Sequence, residues 1–332
     1  MILLKKGKLN AITDVTGVQV GHVTLEQKLS EKEAVCTGVT AILPHEGNCF
    51  EQKVPAASFV LNGFGKTVGL IQMEELGLLE SPIMLTNTFS VASVLQGTLN
   101  WMLAENPAIG DSTSSLNIVV GECNDSYLNS MRLMAVKPEH AEQAIQNAGT
   151  DFAQGAVGAG KGMICYGVKG GIGSASRIVE KEGLSYTAGV LVLTNFGRKE
   201  ELAIANWKKD DDAPEKPDGS VIIIVATDAP VNSRQLKRLA KRAAIGLGRT
   251  GSHVHNGSGD IIIAFSNAVT FPHKVQHAFT QEQVLRDDHE LMNELFQAVI
   301  EATEEAVYQS LLHAETTEGR LGRVIEKGEF NH

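Results

Sequence analysis

Five short apolar runs, rich in β-branched or aromatic residues and bounded by turn residues, punctuate the chain: Ser58–Leu61, Asn117–Val120, Val190–Leu193, Val221–Ala226 and Ile261–Phe265. Runs of this length without strict polar alternation predict strands buried on both faces. Between them the period changes to that of a helix. Leu236, Leu239, Ala240, Ala243, Ala244 and Leu247 recur at three- and four-residue spacing and draw one apolar stripe. The stripe predicts a helix over Ser233–Leu247, capped by Asn232 or Ser233. The other side of that helix holds Arg234, Lys237, Arg238, Lys241 and Arg242. A second helix is predicted over Met292–Leu312, with Leu295, Val299, Ala302, Ala306 and Leu312 apolar and Glu294, Glu301, Glu304 and Glu305 forming an acidic side. Apolar strands that need cover on both faces, together with amphipathic helices, predict sheets held between helical layers in one large α/β domain. Lys208–Gly219 (KKDDDAPEKPDG) reads as a solvated loop inside that domain, because strand-like segments flank it on both sides.

Composition narrows the function. The 332 residues carry 29 basic and 39 acidic side chains, a net charge of −10, which excludes a sequence-independent nucleic-acid binder. The basic helix face is therefore expected to be an ordinary solvated face. Hydrophobic residues at 43% and charged residues at 20% exclude a disordered chain. Cys36, Cys49, Cys123 and Cys165 are scattered and form no CxxC pair, so no structural zinc site and no metal is expected. Free thiols in a reducing compartment are expected instead. Lys5, Lys6 and Lys8 are followed by no apolar run of the kind a secretory signal needs. No stretch approaches eighteen consecutive apolar residues. These features predict a cytoplasmic protein with no membrane segment.

Three motif-like strings lose their meaning in context. Gly155–Gly162 (GAVGAGKG) ends in Gly where a phosphate loop needs Ser or Thr for magnesium, and reads better as a close-packed backbone bend. Gly246–Gly251 (GLGRTG) has a helix before it, where the dinucleotide fingerprint needs a strand. His289-Glu290 lacks the second histidine of a zinc helix, since Asn293 stands in its place. No GxSxG elbow occurs.

Chemistry concentrates in Arg249–Asp260 (RTGSHVHNGSGD), which places Ser252, His253, His255, Asn256, Ser258 and Asp260 between a predicted helix and a predicted strand. Two serine chemistries compete. In one, Ser252 or Ser258 is a nucleophile with His255 as base, although catalytic triads are assembled from distant segments. In the other, the Gly251–Ser252 bond is itself attacked by the Ser252 hydroxyl, because Gly has no Cβ to block approach and accepts a strained backbone. An N-to-O shift followed by hydrolysis frees an N-terminal Ser252 whose α-amine, with an ordinary pKa of about 7.7–8.0, serves as a built-in base. Most Gly-Ser pairs are only turns.

Longer segments resolve this ambiguity by resemblance. Asn10–His22 (NAITDVTGVQVGH), Thr37–Pro44 (TGVTAILP), Pro82–Thr88 (PIMLTNT), Val136–His140 (VKPEH), Lys169–Arg177 (KGGIGSASR), Gly189–Gly197 (GVLVLTNFG), Ala226–Pro230 (ATDAP), Gln235–Ala243 (QLKRLAKRA), Asn256–Ile261 (NGSGDI) and Ala302–Val307 (ATEEAV) occur in order. Together they resemble the self-processing serine aminopeptidases that include L-aminopeptidase/D-Ala-esterase/amidase and the β-peptidyl aminopeptidases. The resemblance covers nearly the whole chain. It implies a four-layer αββα sandwich, cleavage between Gly251 and Ser252, and two pieces, 1–251 and 252–332, that stay together. It implies substrates that are small peptides, amides or esters with a free amine. No cofactor is implied, and the implied assembly is a homotetramer of processed units.

The same resemblance assigns roles. Asn195 matches the family's oxyanion-stabilising Asn, although by itself it reads as a strand-end turn residue. Glu122 in VVGECND matches the acidic residue that binds the substrate amine, against the plain reading of a solvated carboxylate after a strand. Asp288 and Glu290 match a short acidic motif that hydrogen-bonds the active serine. Taken alone they are an acidic first turn suited to the helix dipole. Two departures stand out: Asn124 occupies a position that is Tyr in some members, and Lys66 one that is acidic in some. Two rival functions remain at this level, an acyltransferase like ornithine acetyltransferase, which uses a Thr nucleophile on a similar fold, and a non-catalytic binding relative.

Overall fold

The computed structural model describes residues 3–204, 219–275, 277–280 and 282–329, so the predicted loop from Lys208 lies, apart from Gly219, outside the described residues. The long strands are β1 (Gln19–Lys28), β2 (Ala34–Leu43), β3 (Gln52–Gly63), β4 (Ile83–Asn87), β5 (Val119–Cys123), β6 (Ile172–Lys181), β7 (Leu184–Asn195), β8 (Ser220–Thr227) and β9 (Gly259–Ser266). The long helices are α1 (Val91–Glu105), α2 (Pro138–Gln146), α3 (Ser233–Arg249) and α4 (Glu290–Leu312). Each of the five predicted strands and both predicted helices is present, most of them longer than predicted.

The strands form two main sheets. One has the order β1-β2-β4-β5, and the other runs β3-β9-β8-β7-β6 with short strands added beside β3. In the larger sheet only β8 and β9 are parallel. Burial on both faces explains the unalternating apolar runs. On β8, Val221, Ile223 and Val225 join α3 and α4 in one core, while Ile222, Ile224 and Ala226 face the opposite way into a core shared with the smaller sheet. On that sheet Ile83 and Leu85 point inward and Met84 points outward, toward the core beneath α1 and α2. The layers are therefore α1/α2, small sheet, large sheet and α3/α4, the αββα sandwich expected.

Two expectations about helix faces change. The basic side of α3 is not simply solvated: Arg234 and Arg238 pair with Asp287, Lys237 pairs with Glu74, and Arg242 lies 3.9 Å from the Phe296 ring centroid. On α4, Glu301 is buried and receives Arg177 Nε at 3.0 Å and the Leu4 amide at 3.0 Å. These polar faces dock on neighbouring elements, which periodicity alone does not reveal. The glycine-rich stretch is the packed bend expected. A Cβ on Gly155 would meet the His313 carbonyl oxygen at 2.1 Å, and the buried Lys169 ammonium gathers the carbonyls of Gly160, Met163 and Gly170 at 3.0, 2.6 and 2.7 Å. All four cysteines are free thiols.

The strand-helix-strand unit β8-α3-β9 places the segment of interest. Residues 250–258 are the return from α3 to the first residue of β9, and Gly259 lies opposite Ser220, the first residue of β8. Ser220 in turn lies opposite Asn195, the last residue of β7. The loop and Asn195 therefore share one end of the large sheet.

Candidate active site

Gly251 has φ +101°, in the left-handed region, and a Cβ built on it would lie 1.7 Å from the Glu201 carbonyl oxygen. Both facts require glycine. On the other side of Ser252, Val254 has φ +53°, a conformation that costs a β-branched residue about 1–3 kcal/mol. The Val254 amide donates to Ser252 Oγ at 3.3 Å, so the hydroxyl oxygen is held inside its own loop. Outside bonds brace the loop. The Ala203 amide donates to the Thr250 carbonyl at 3.0 Å, and the Tyr166 and Thr250 hydroxyls bond at 2.7 Å. Burial pushes the Tyr166 phenol far above its ordinary range, which keeps that hydroxyl protonated. The Asn62 amide donates to the carbonyls of His255 (3.2 Å), Asn256 (3.1 Å) and Ser258. His255 Nε2 lies 2.7 Å from the carboxylate of Glu201.

Asn195 is buried. Its Oδ1 accepts the Ile164 amide at 3.0 Å and its Nδ2 donates one proton to the Asn124 carbonyl at 2.9 Å. A primary amide has two N–H donors, so one remains beyond the bond to Asn124. The strand-end position expected of Asn195 is correct, and its side chain is locked. Tyr166, whose amide donates to the Phe196 carbonyl at 2.8 Å, links Asn195's neighbour to Thr250.

Glu122 lies on β5 at the same end, where the small sheet meets the large one. It is 3% exposed, which removes the solvated-carboxylate reading. One oxygen accepts the Lys66 amide at 2.8 Å and the other accepts the Thr88 hydroxyl. Lys66 meets Glu122 only through its backbone. Its ammonium sits 4.6 Å from the Phe64 ring centroid. Asn124 contributes its carbonyl to Asn195, while its side chain accepts the Ser126 amide at 2.9 Å.

Asp288 and Glu290 do not join this group. Asp288 pairs with Arg286 at 2.8 Å and Glu290 pairs with Lys181, and both carboxylates are largely exposed. Lys181 ends β6 at the hairpin with β7, the far end of the sheet from Asn195. Helix α4 begins at Glu290 and reaches the Asn195 end only at Ser310, whose Oγ bonds Thr194 at 2.8 Å. Twenty residues of helix rise separate the two ends by about 30 Å. The expectation that these acids flank Ser252 is corrected: they lie at the opposite end of α4, Glu290 in its first turn and Asp288 just before it.

Beneath the site, burial pushes the Asp125 carboxyl up to about 7, against hydrogen bonds from Thr37 and Asn129 that lower it. Burial likewise raises Asp260, which accepts the Ser258 hydroxyl at 2.8 Å, to about 6. A carboxyl whose folded pKa is raised contributes stability that is full below its unfolded value and is lost as pH rises through the folded one. Asp125→Asn keeps the shape and removes the charge. Wild type is expected to lose on the order of 2–4 kcal/mol relative to this variant between pH 4 and 8. Melting temperatures of both proteins across that range are the check, and a pH-independent difference would refute it.

On this αββα scaffold a loop presents a serine behind an obligatory glycine, with an amide donor and a buried carboxylate at the shared end of the two stacked sheets. Comparison with known proteins shows the class to which it belongs. Peptidase family S58 matches residues 10–325, and the chain belongs to that family. It is 41% identical to β-peptidyl aminopeptidase BapA of Sphingosinicella microcystinivorans over 97% of this chain and 86% of that protein. Among solved structures, a Pyrococcus horikoshii OT3 protein superposes with TM-score 0.92 at 51% identity, covering 98% of this chain and 93% of the other. The L-aminopeptidase D-Ala-esterase/amidase of Ochrobactrum anthropi, described as a variant of the Ntn hydrolase fold, superposes with TM-score 0.91 at 34% identity, covering 99% and 93%. The chain is a hydrolase of the aminopeptidase and amidase class. No helix among the described residues is long and apolar enough to cross a membrane.

Sequence reasoning missed Asn62, Tyr166 and Glu201. Each acts on residues 250–258 from 50 to 196 positions away. Their signal is three-dimensional.

Proposed function

We propose that the chain is a precursor that cuts itself between Gly251 and Ser252, and that the freed Ser252 is the nucleophile of an aminopeptidase acting on small peptides, amides or esters with a free amine. The observation that carries this is the backbone at Gly251, which only glycine can adopt and which precedes a serine at the sheet end that holds Asn195. In self-cleavage the Ser252 Oγ–H adds to the Gly251 carbonyl. The C–N bond breaks, the hydroxyl proton ends on the departing nitrogen, and water hydrolyses the ester to a Gly251 carboxylate and a free Ser252. In turnover the new α-amine takes the Oγ proton as Oγ attacks the substrate carbonyl. The free N–H of Asn195 faces the oxyanion, the amine product leaves with that proton, and water releases the acyl group.

Glu122 receives the substrate's ammonium by a charge-assisted bond. Glu122→Gln is expected to raise KM for free-amine amides by about 10–100-fold, since hydrogen bonds to charged groups contribute about 1.5–3 kcal/mol. Steady-state kinetics with aminoacyl p-nitroanilides and their N-acetyl counterparts test this. Wild type should turn over only the free-amine set, and equal turnover of both sets would refute the assignment. The kinship with β-peptidyl aminopeptidases makes β-aminoacyl amides the first alternative backbone to assay. Assembly as a homotetramer of processed units and residence in the cytoplasm complete the reading. Four buried free thiols support the latter.

A further inference from the structure

The proposed mature base, the Ser252 α-amine, does not exist before cleavage, because that nitrogen is still an amide. The first cut therefore depends on how the precursor holds Oγ and the Gly251 carbonyl in attacking geometry. One residue touches the loop on both sides of Ser252. The Glu201 main-chain oxygen packs against Gly251 so closely that no Cβ fits between them. The Glu201 carboxylate, 8% exposed, takes His255 Nε2 at 2.7 Å and faces His253 Nδ1 at 3.5 Å. The carboxylate is itself anchored, since its other oxygen accepts the Arg198 amide at 2.9 Å. Two residues on, Ala203 holds Thr250. Residues 198–203 thus form a clasp that grips 250–251 by the main chain and 253–255 by one buried carboxylate.

We infer that Glu201 is a positioning residue for self-cleavage, which orients the Gly251–Ser252 bond through Gly251, His253 and His255. The inference rests on the self-cleavage reading above. The oxygen that meets His255 is the active feature, so an isosteric amide that turns its carbonyl to His255 should replace it, while its NH2 gives up only the bond from the Arg198 amide.

The test is a time course of intact mass after a short pulse of cell-free synthesis of the full chain, quenched in denaturant. Glu201→Ala is expected to cleave at least about tenfold more slowly than wild type, since a misplacement near 1 Å can cost about a hundredfold. Glu201→Gln is expected to return to within about threefold of wild type, a rescue that general loss of packing would not give. Wild-type speed in Glu201→Ala overturns the inference and leaves self-cleavage standing. So does a Glu201→Gln variant as slow as the alanine. A wild-type chain that never cleaves removes the self-cleavage reading, and this inference with it. If Glu201→Ala lacks the wild-type melting transition, His255→Gln decides: slowed cleavage supports the clasp, and unchanged cleavage overturns it.

Discussion

Freshly purified protein, denatured and weighed, is expected to show two chains, 1–251 and 252–332, while Ser252→Ala shows one chain of 332 residues and no turnover. The expectation follows from the loop geometry. Gly251 holds a left-handed backbone against the Glu201 carbonyl, and Ser252 Oγ is retained within the loop by the Val254 amide. On the proposed mechanism, removing Oγ removes the atom that takes the acyl group, so both the cut and the catalysis are expected to vanish together. Loss of folding would give the same mass and the same lost turnover, and the melting temperature separates the two. The Ser252 side chain is confined to an irregular loop, and alanine there leaves the αββα cores untouched, so the melting temperature should be close to that of wild type. A single uncut chain in wild type, with full activity, would exclude an N-terminal nucleophile. Two chains in Ser252→Ala would place the cleavage chemistry elsewhere.

Asn195→Ala is expected to lower kcat per processed chain by about 10²–10³, equivalent to about 2.7–4 kcal/mol of lost oxyanion stabilisation, with KM little changed. One Nδ2 proton is committed to the Asn124 carbonyl and Oδ1 to the Ile164 amide, so the remaining N–H is held rigidly in advance of the reaction. The same bonds carry a separate cost. Alanine removes the acceptor of the Ile164 amide and the donor to the Asn124 carbonyl, two hydrogen bonds that contribute about 0.5–1.5 kcal/mol each to stability. That cost appears as a lower melting temperature, while the catalytic loss appears in kcat at temperatures where the variant is folded. Processing must be read by mass in the same sample, so that activity is divided by cleaved chains. A variant that raises KM and leaves kcat intact would make Asn195 a substrate-binding residue instead.

Strand content was legible where apolar residues ran unbroken, because a strand buried on both faces needs no polar alternation; β7, β8 and β9 are of this kind. Strands β1 and β2 escaped. Gln19–Lys28 is an edge strand with polar residues along much of its length, and Ala34–Leu43 mixes Thr, Gly, Cys and Ala into its apolar positions. Helices α1 and α2 escaped as well, the first lacking any acidic first turn or capping side chain. The acidic pair at Asp288 and Glu290 was assigned to the site by resemblance alone, and a matched segment does not say which end of a 23-residue helix faces the site. That choice is made by the packing of α4 along β6 and β7.

By itself the sequence determined the family and the layered fold class, and it singled out the Gly251–Ser252 pair, Asn195 and Glu122 as candidates, because long matching segments and local backbone preference are written in consecutive residues. Only the tertiary structure decided which groups meet. Pairing of β7, β8 and β9 in their observed registers sets Asn195, Ser220 and Gly259 side by side. That alignment closes the return loop against Glu201, Tyr166 and Asn62, and it sends Asp288 and Glu290 to the other end. Strand register and helix direction are properties of contacts between segments far apart in the chain. No local pattern contains them.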